Sequence, residues 1–280
     1  MKVPFTKMQA YGNDYIYINT IAHPVEDPGL LSKKISDRHF GVGSDGLVLI
    51  CASEICDFRM RIFNPDGTEA EMCGNALRST AKYVYTYGLT EKKEFTIETL
   101  GGIKRLELTV TDKEVTDIRA HIGNPVFEPA SIPVLTDGDR FLEQPVQAGD
   151  RTFTASSLSW GNPHTVIFVE DVDAVDLETY GPLLEHASCF PRRTNVTFAQ
   201  VVDPEHIRIR EWERGTGETL GCGTGCCTAV VIGALLGRCA SAVEVTQPGG
   251  VLKVEQHEDG SVSMQGPSYI VFQGEYEYEA

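Results

Sequence analysis

From Asp57 to Phe63 the chain reads Asp-Phe-Arg-Met-Arg-Ile-Phe, so that apolar Phe58, Met60 and Ile62 alternate with Arg59 and Arg61. A period of two is that of a strand with one face buried and one in water. His206-Ile-Arg-Ile-Arg repeats it. Runs of similar texture predict strands over Tyr15 to Ile18, Leu47 to Cys51, Phe95 to Glu98, Ile103 to Val110, Thr165 to Val169, Val196 to Val202, Val251 to Glu255 and Tyr269 to Phe272. Helical spacing is rarer. Leu77, Ala81, Val84 and Tyr85 fall on one helical face after Cys73, whereas Ala229 to Leu236 after Cys222 is apolar nearly all round. A helix without a polar face has to be surrounded, so a sheet curled about it is expected. Between Ala120 and Asp150, Pro125, Pro129, Pro133 and Pro145 with Gly123 and Gly138 interrupt any periodicity, as at a domain junction.

The two halves of the pattern are near-copies at a constant offset of 149 residues, the separation of Cys73 from Cys222. Arg59 and Arg61 fall on Arg208 and Arg210, Glu69 on Glu218, and Cys73-Gly74 on Cys222-Gly223. Gly12-Asn13 falls on Gly161-Asn162, and Tyr15 on His164. A duplicated chain most simply folds as two similar domains facing each other across a cleft, with one thiol on each side of a bound substrate. Residues 1–119 with a returning C-terminal strand, 267–280, are expected to form the domain that carries Cys73, and 120–266 the one that carries Cys222.

Composition narrows the class. With 280 residues, 41% apolar and 23% charged, the chain is that of a globular protein with a large core. Its formal charge of −16 and pI near 4.8 would repel phosphates, which argues against nucleic acid or an anionic membrane surface as partner. No run resembles a signal peptide or a spanning helix, so a cytoplasmic protein is expected. The eight cysteines are then read as reduced thiols. Cys222-Gly-Thr-Gly-Cys226-Cys227 lacks the C-x-x-C spacing and the histidine partners of a structural zinc site, and no metal is expected. Cys51, Cys56, Cys189, Cys226, Cys227 and Cys239 are expected to be small buried hydrophobes. Gly41-Val-Gly43-Ser-Asp-Gly46 matches a dinucleotide fingerprint by letters alone, because it precedes a strand instead of following one.

Cys73 and Cys222 differ from the others in that each precedes a glycine and opens a helix. The first turn of a helix has N–H groups without intrahelical partners and a partial positive charge, which stabilises a thiolate or a bound anion. The expectation is a thiol lowered toward neutrality, fit for general acid–base work. The N–H groups of Gly74, Asn75, Gly223 and Thr224 would hold a carboxylate, which gains most when charge spreads onto it from an adjoining carbanion. An amino acid losing its α-proton fits that description.

At this point whole motifs resemble a known family. Phe5-Thr-Lys-Met-Gln-Ala-Tyr-Gly-Asn-Asp-Tyr, Asp37-Arg-His-Phe-Gly-Val-Gly-Ser-Asp-Gly, Phe63-Asn-Pro-Asp-Gly-Thr-Glu-Ala-Glu-Met-Cys-Gly-Asn, Gly161-Asn-Pro-His, Arg193-Thr-Asn-Val and Trp212-Glu-Arg-Gly-Thr-Gly-Glu-Thr-Leu-Gly-Cys-Gly-Thr-Gly are similar to the signatures of the diaminopimelate epimerases. The resemblance runs over essentially the whole chain. It implies an α/β (α+β) fold of two pseudo-symmetric domains, each a curled, mostly antiparallel sheet around a central helix. It implies epimerisation of LL-2,6-diaminopimelate to the meso form, in the supply of lysine and peptidoglycan precursors, with no cofactor and no metal, by a homodimer. Cys73 and Cys222 would be the base and acid, assisted by His164 and Glu213. Asn13, Ser44, Asn64, Gly74, Asn75, Asn162, Asn195, Glu213, Arg214, Gly223 and Thr224 would bind substrate. The chain departs from many members in having Ala76-Leu77-Arg78 and Tyr11-Gly-Asn-Asp-Tyr15, Ser44 where some use Gln, and Phe272 where some carry a Tyr at dimer contacts. Two other readings stay open: a racemase of proline, hydroxyproline or histidine with a comparable thiol pair, and a non-catalytic thiol-redox or ligand-binding module.

Overall fold

The computed structural model describes residues 2–278, in two compact units. Met1, Glu279 and Ala280, at the ends of the expected N-terminal domain, lie outside the described residues. One unit takes the chain up to His121 and again from Gly266; the other is Ile122–Gln265.

The first unit runs β1 (Lys2–Ala10), β2 (Asn13–Asn19), α1 (Pro28–Ile35), β3 (Leu47–Cys51), β4 (Phe58–Phe63), β5 (Glu69–Ala70), α2 (Gly74–Thr86), β6 (Glu94–Thr99), β7 (Gly102–Thr111) and β8 (Glu114–Gly123). The second repeats that order: β9 (Gln144–Ala148), β10 (Arg151–Ser159), β11 (Pro163–Phe168), α3 (Leu177–Glu185), β12 (Asn195–Asp203), β13 (His206–Glu213), β14 (Gly217–Thr219), α4 (Gly223–Leu235), β15 (Ala242–Gln247), β16 (Gly250–Gln256) and β17 (Val262–Gly266). The chain then ends in β18 (Tyr269–Glu277).

Register follows the sequence repeat. In the first unit β2 lies parallel to β3 with Ile16 opposite Leu47; in the second, Thr165 of β11 lies opposite Val196 of β12. Leu47 faces Phe63 across the antiparallel β3·β4 pair, as Val196 faces Trp212 across β12·β13. Beyond the long helices the offset drops by one residue: Phe95 faces Leu106, and Val243 faces Val254. β18 pairs antiparallel with β1, and β9 pairs antiparallel with β10. The C-terminal strand therefore completes the first unit's sheet as β9 completes the second's.

Each sheet packs on its long helix. Leu77, Ala81 and Val84 of α2 are fully buried, as are Ala229, Val230 and Ile232 of α4. Each large aliphatic side chain so removed from water contributes about 1.5–3 kcal/mol. The two short helices were invisible to periodicity and are set by their ends. Asp27 caps α1 through Leu30 N at 2.9 Å ahead of Pro28, with Lys33 and Lys34 in the last turn. Asp176 caps α3 through Thr179 N. Gly181 of α3 lies flat on the Trp212 ring, where a Cβ would meet ring atoms at 2.5 Å. Among the described residues, no helix is long and apolar enough to cross a membrane.

Candidate active site

Cys73 and Cys222 are the N-cap residues of α2 and α4, both in extended backbone, with φ −137° and −121°. An N-cap side chain sits over the first-turn amides, which have no partner within the helix. Gly74, Asn75, Gly223 and Thr224 supply those amides, and all but Thr224 are buried. The two thiols thus occupy equivalent positions, but their surroundings differ.

In the first unit a tight turn sets the site. Tyr11 and Gly12, at φ 56° and 82°, join β1 to β2, a two-residue hairpin with both residues left-handed. A tyrosine held there is uncommon, and such strain concentrates where position matters. The turn delivers Asn13, whose Nδ2 donates to Asp45 Oδ2 at 2.8 Å. Asp45 is itself held by Arg38 at 2.9 Å. This fixes the amide so that Asn13 Oδ1 faces Cys73, accepting from Sγ at 3.3 Å and from Asn75 Nδ2 at 3.4 Å. Arg78, fully buried one turn on, donates to Asn75 Oδ1 at 2.7 Å and lies over the Tyr11 ring. Burial, and next the Cys73 sulfur, push the Tyr15 phenol well above its usual range, so it stays neutral.

In the second unit the thiol is walled in. Cys222 is 7% exposed; its Sγ accepts from Gly225 N at 3.4 Å and lies 3.6 Å from Thr224 Oγ1. Gln247 Oε1 anchors its backbone N–H at 3.0 Å. Burial comes first, then the carboxylates of Glu211 and Glu213, in raising the Cys222 thiol well above its ordinary value. The expectation of a thiol lowered by the helix terminus is reversed here, because desolvation and two acidic neighbours outweigh the Thr224 and Gly225 hydrogen bonds. His164, with no exposed surface, places Nδ1 3.7 Å from Glu211 Oε1. The ligating atoms of His164, Glu211 and Cys222 all lie within 4.8 Å of one another.

Glu211 is the residue that sequence reasoning missed. It is 2% exposed, takes a short hydrogen bond from Thr197 Oγ1, and occupies the space where a Cβ on Gly225 would come within 2.3 Å of its carboxylate. The repeat offset carries Glu211, Thr197 and Gly225 onto Ile62, Val48 and Ala76. Carboxylate, hydroxyl donor and the glycine that makes room are therefore present together in one half and absent together from the other. Extending the alternation of buried Ile207 and Ile209 by two positions would have placed Glu211 on the inward face.

The other expected residues are placed as follows. Glu213 accepts from Thr219 Oγ1 at 2.6 Å. Asn195 braces its loop, donating to the Pro163 carbonyl at 2.8 Å and accepting from Arg214 N at 2.9 Å, while the Arg214 guanidinium donates to the Arg192 carbonyl at 3.2 Å. Asn64 lies in the turn after β4, bonded to Thr68. Asn162 is half-buried in the β10–β11 loop. The Ser44 hydroxyl is engaged within its own turn, donating to the Gly46 carbonyl at 2.9 Å and accepting from Gly46 N at 3.3 Å. Glu69 and Glu218, flanking the cysteine loops, are each gripped by an arginine, Arg61 at 2.8 Å and Arg210 at 2.9 Å.

The family model described as diaminopimelate epimerase matches residues 5–128 and 156–271. A diaminopimelate epimerase of Acetivibrio thermocellus is 48% identical over 272 residues, covering 97% of both chains. One of Methanococcus maripaludis is 46% identical, covering 97% of this chain and 98% of its own. Among solved structures, a Bacillus anthracis phenazine biosynthesis protein of the PhzF family superposes with a TM-score of 0.70 at 19% identity, covering 99% and 100% of the two chains. A hydroxyproline epimerase from Agrobacterium vitis does so at 0.70 and 12%, covering 98% and 92%. At such identities these two establish the fold alone.

Proposed function

The chain belongs to the diaminopimelate epimerase family, and from that premise we propose that Cys73 and Cys222 are the acid–base pair inverting the α-carbon of diaminopimelate. The observation that carries this reading is the placement of both thiols at equivalent N-cap positions of the two long buried helices. One sulfur, as thiolate, takes the α-proton; the other, as thiol, delivers its proton to the opposite face. Each turnover leaves the two protonation states exchanged, and solvent restores them. Cys222, held in its neutral form by burial and by Glu211 and Glu213, enters as the donor. The carbanion's charge spreads onto the neighbouring carboxylate, which the first-turn amides of Gly74, Asn75, Gly223 and Thr224 stabilise. Asn13 orients Cys73, and His164 with Glu213 attends Cys222. Asn64, Asn162, Asn195 and Arg214 take the distal amino and carboxylate groups, and Ser44 serves that end through its loop.

Purified protein given LL-diaminopimelate in deuterated water tests the proposal. Meso product labelled at the inverted carbon is expected; inversion without label, or neither, would overturn it. A substrate such as proline, hydroxyproline or histidine is disfavoured by Arg214, since a ligand without a distal carboxylate would leave that guanidinium poorly matched. A simple binding or redox module would incorporate no deuterium at carbon. We further assign a homodimer, supported by the exposed apolar side chains Tyr269, Val271 and Phe272 along β18, and sedimentation velocity reads that state directly; the cytoplasm is the compartment we assign to it.

A further inference from the structure

We propose that His164, Glu211 and Cys222 form a binding site for a single thiophilic divalent cation, of which Zn2+ and Co2+ are the fitting examples. Two independent observations carry it. The first is the donor set: an imidazole nitrogen, a carboxylate oxygen and a sulfur, all within 4.8 Å of one another on a buried patch. Tetrahedral coordination at ordinary metal–ligand lengths needs donor separations of roughly 3.3–3.6 Å. His164 Nδ1 and Glu211 Oε1 already stand 3.7 Å apart, and the longest edge closes by about an ångström, within reach of side-chain rotation.

The second observation is unmet hydrogen-bonding capacity. Both ring nitrogens of His164 and Oε1 of Glu211 are buried without a hydrogen-bond partner. A buried carboxylate oxygen and two imidazole nitrogens without partners are costly, and buried polar groups in native proteins are otherwise satisfied. A cation ligated by all three side chains would satisfy an oxygen and a nitrogen at once. Glu211 Oε2 is separately held by Thr197, which fixes the carboxylate as the outer partners of metal ligands commonly do. The first unit cannot offer this site: the equivalents of His164 and Glu211 are Tyr15 and Ile62.

Binding converts the Cys222 thiol to a metal-bound thiolate and releases its proton to solvent. Three protein ligands leave one coordination position open, unlike the closed four-ligand sets of structural sites. While it is bound, Cys222 has no proton to give. The site's existence rests on ligand geometry and on those unmet hydrogen-bonding groups, and does not require the epimerase reading. That reading adds only the corollary that the metal inhibits.

The test is a titration of the reduced, chelator-stripped full chain with Co2+ alone, followed by the thiolate-to-metal charge-transfer band and the visible bands of tetrahedral cobalt. One equivalent is expected to bind, with displacement by Zn2+. Cys222→Ser should lose the near-ultraviolet band, Cys73→Ser should keep it, and Glu211→Gln should weaken binding at least about tenfold. Circular dichroism confirms that each variant is folded, with Glu211→Asp as the substitute should the glutamine fail. A missing band in the parent protein, a band that survives in Cys222→Ser or vanishes in Cys73→Ser, or unchanged affinity in the Glu211 variant would each overturn the proposal.

Discussion

The two cysteine half-sites share a backbone and differ in polarity. Around Cys73 the neighbours are neutral amides and a phenol, and the thiol is half-buried and aimed at an amide oxygen whose orientation is dictated by Asp45, itself held by Arg38. Around Cys222 they are an imidazole and two carboxylates, and the sulfur is enclosed. A duplicated scaffold has thus retained its helix termini while exchanging the side chains that set each proton's affinity. The lesson is that a symmetric frame can hold its two thiols in unequal surroundings, one of them kept protonated at rest by burial and two carboxylates.

The comparison can be broken most severely at the sulfurs. Cys73→Ala and Cys222→Ala are each expected to lower epimerisation by about 10³-fold or more, with circular dichroism unchanged; near-normal turnover by either would remove the need for a second thiol. The next largest effect comes from forcing one half to copy the other. Ile62→Glu sets a carboxylate opposite Val48 and Ala76, with neither donor nor room, and should destabilise the protein by about 3–5 kcal/mol in urea melts. The reverse exchange sharpens the picture. Glu211→Gln removes the leading charge acting on Cys222, so alkylation of that thiol by iodoacetamide near neutrality should become several-fold faster, with Cys73 unaffected; an unchanged rate would mean that burial and Glu213 suffice to set the thiol.

Smaller effects probe what the halves have in common. Arg61→Ala and Arg210→Ala remove bidentate grips on Glu69 and Glu218, and each should cost about 1 kcal/mol of stability at low salt, less as salt is raised, with Arg210→Ala costing the more because it also gives up bonds to the Val172 and Val175 carbonyls. Equal losses would show that those two carbonyl bonds add nothing to the brace. The smallest expected signal is in alkaline unfolding. Because the folded Cys222 thiol is raised, the unfolded chain holds fewer protons once pH exceeds the ordinary thiol value of about 8.5, and stability falls with further rise. Cys222→Ala should flatten that slope and Cys189→Ala, raised for the same reason but half-buried, should flatten it less.

Much of this was legible in the chain. Leu47 to Cys51 is a strand over the bounds its apolar run suggested, and the all-apolar stretch after Cys222 is a helix buried nearly all round. Strand β1 and strand β10 were not seen, since Lys2–Ala10 and Arg151–Ser159 mix buried and polar positions irregularly. Helices α1 and α3 are too short for periodicity, and their capping aspartates were the available signal. β9 lies within the proline-rich stretch that read as a pure junction. At the site, the duplication singled out the thiols, but Glu211 has no counterpart in the repeat, since the offset carries it onto Ile62, and a carboxylate at an inward position breaks the apolar alternation. The direction of the Cys222 shift was equally beyond reach, because it depends on which carboxylates the strand turns inward.

The pairing of β18 with β1 has a consequence for biogenesis. A ribosome releases His121 long before Tyr269, and at about 5–20 residues per second the interval is roughly seven to thirty seconds. Throughout it, the emerging polypeptide carries an N-terminal sheet whose edge has no mate, while the later unit, which contains its own β9, is complete once Gln265 has emerged, before β18 begins. The half made first is therefore the half finished last.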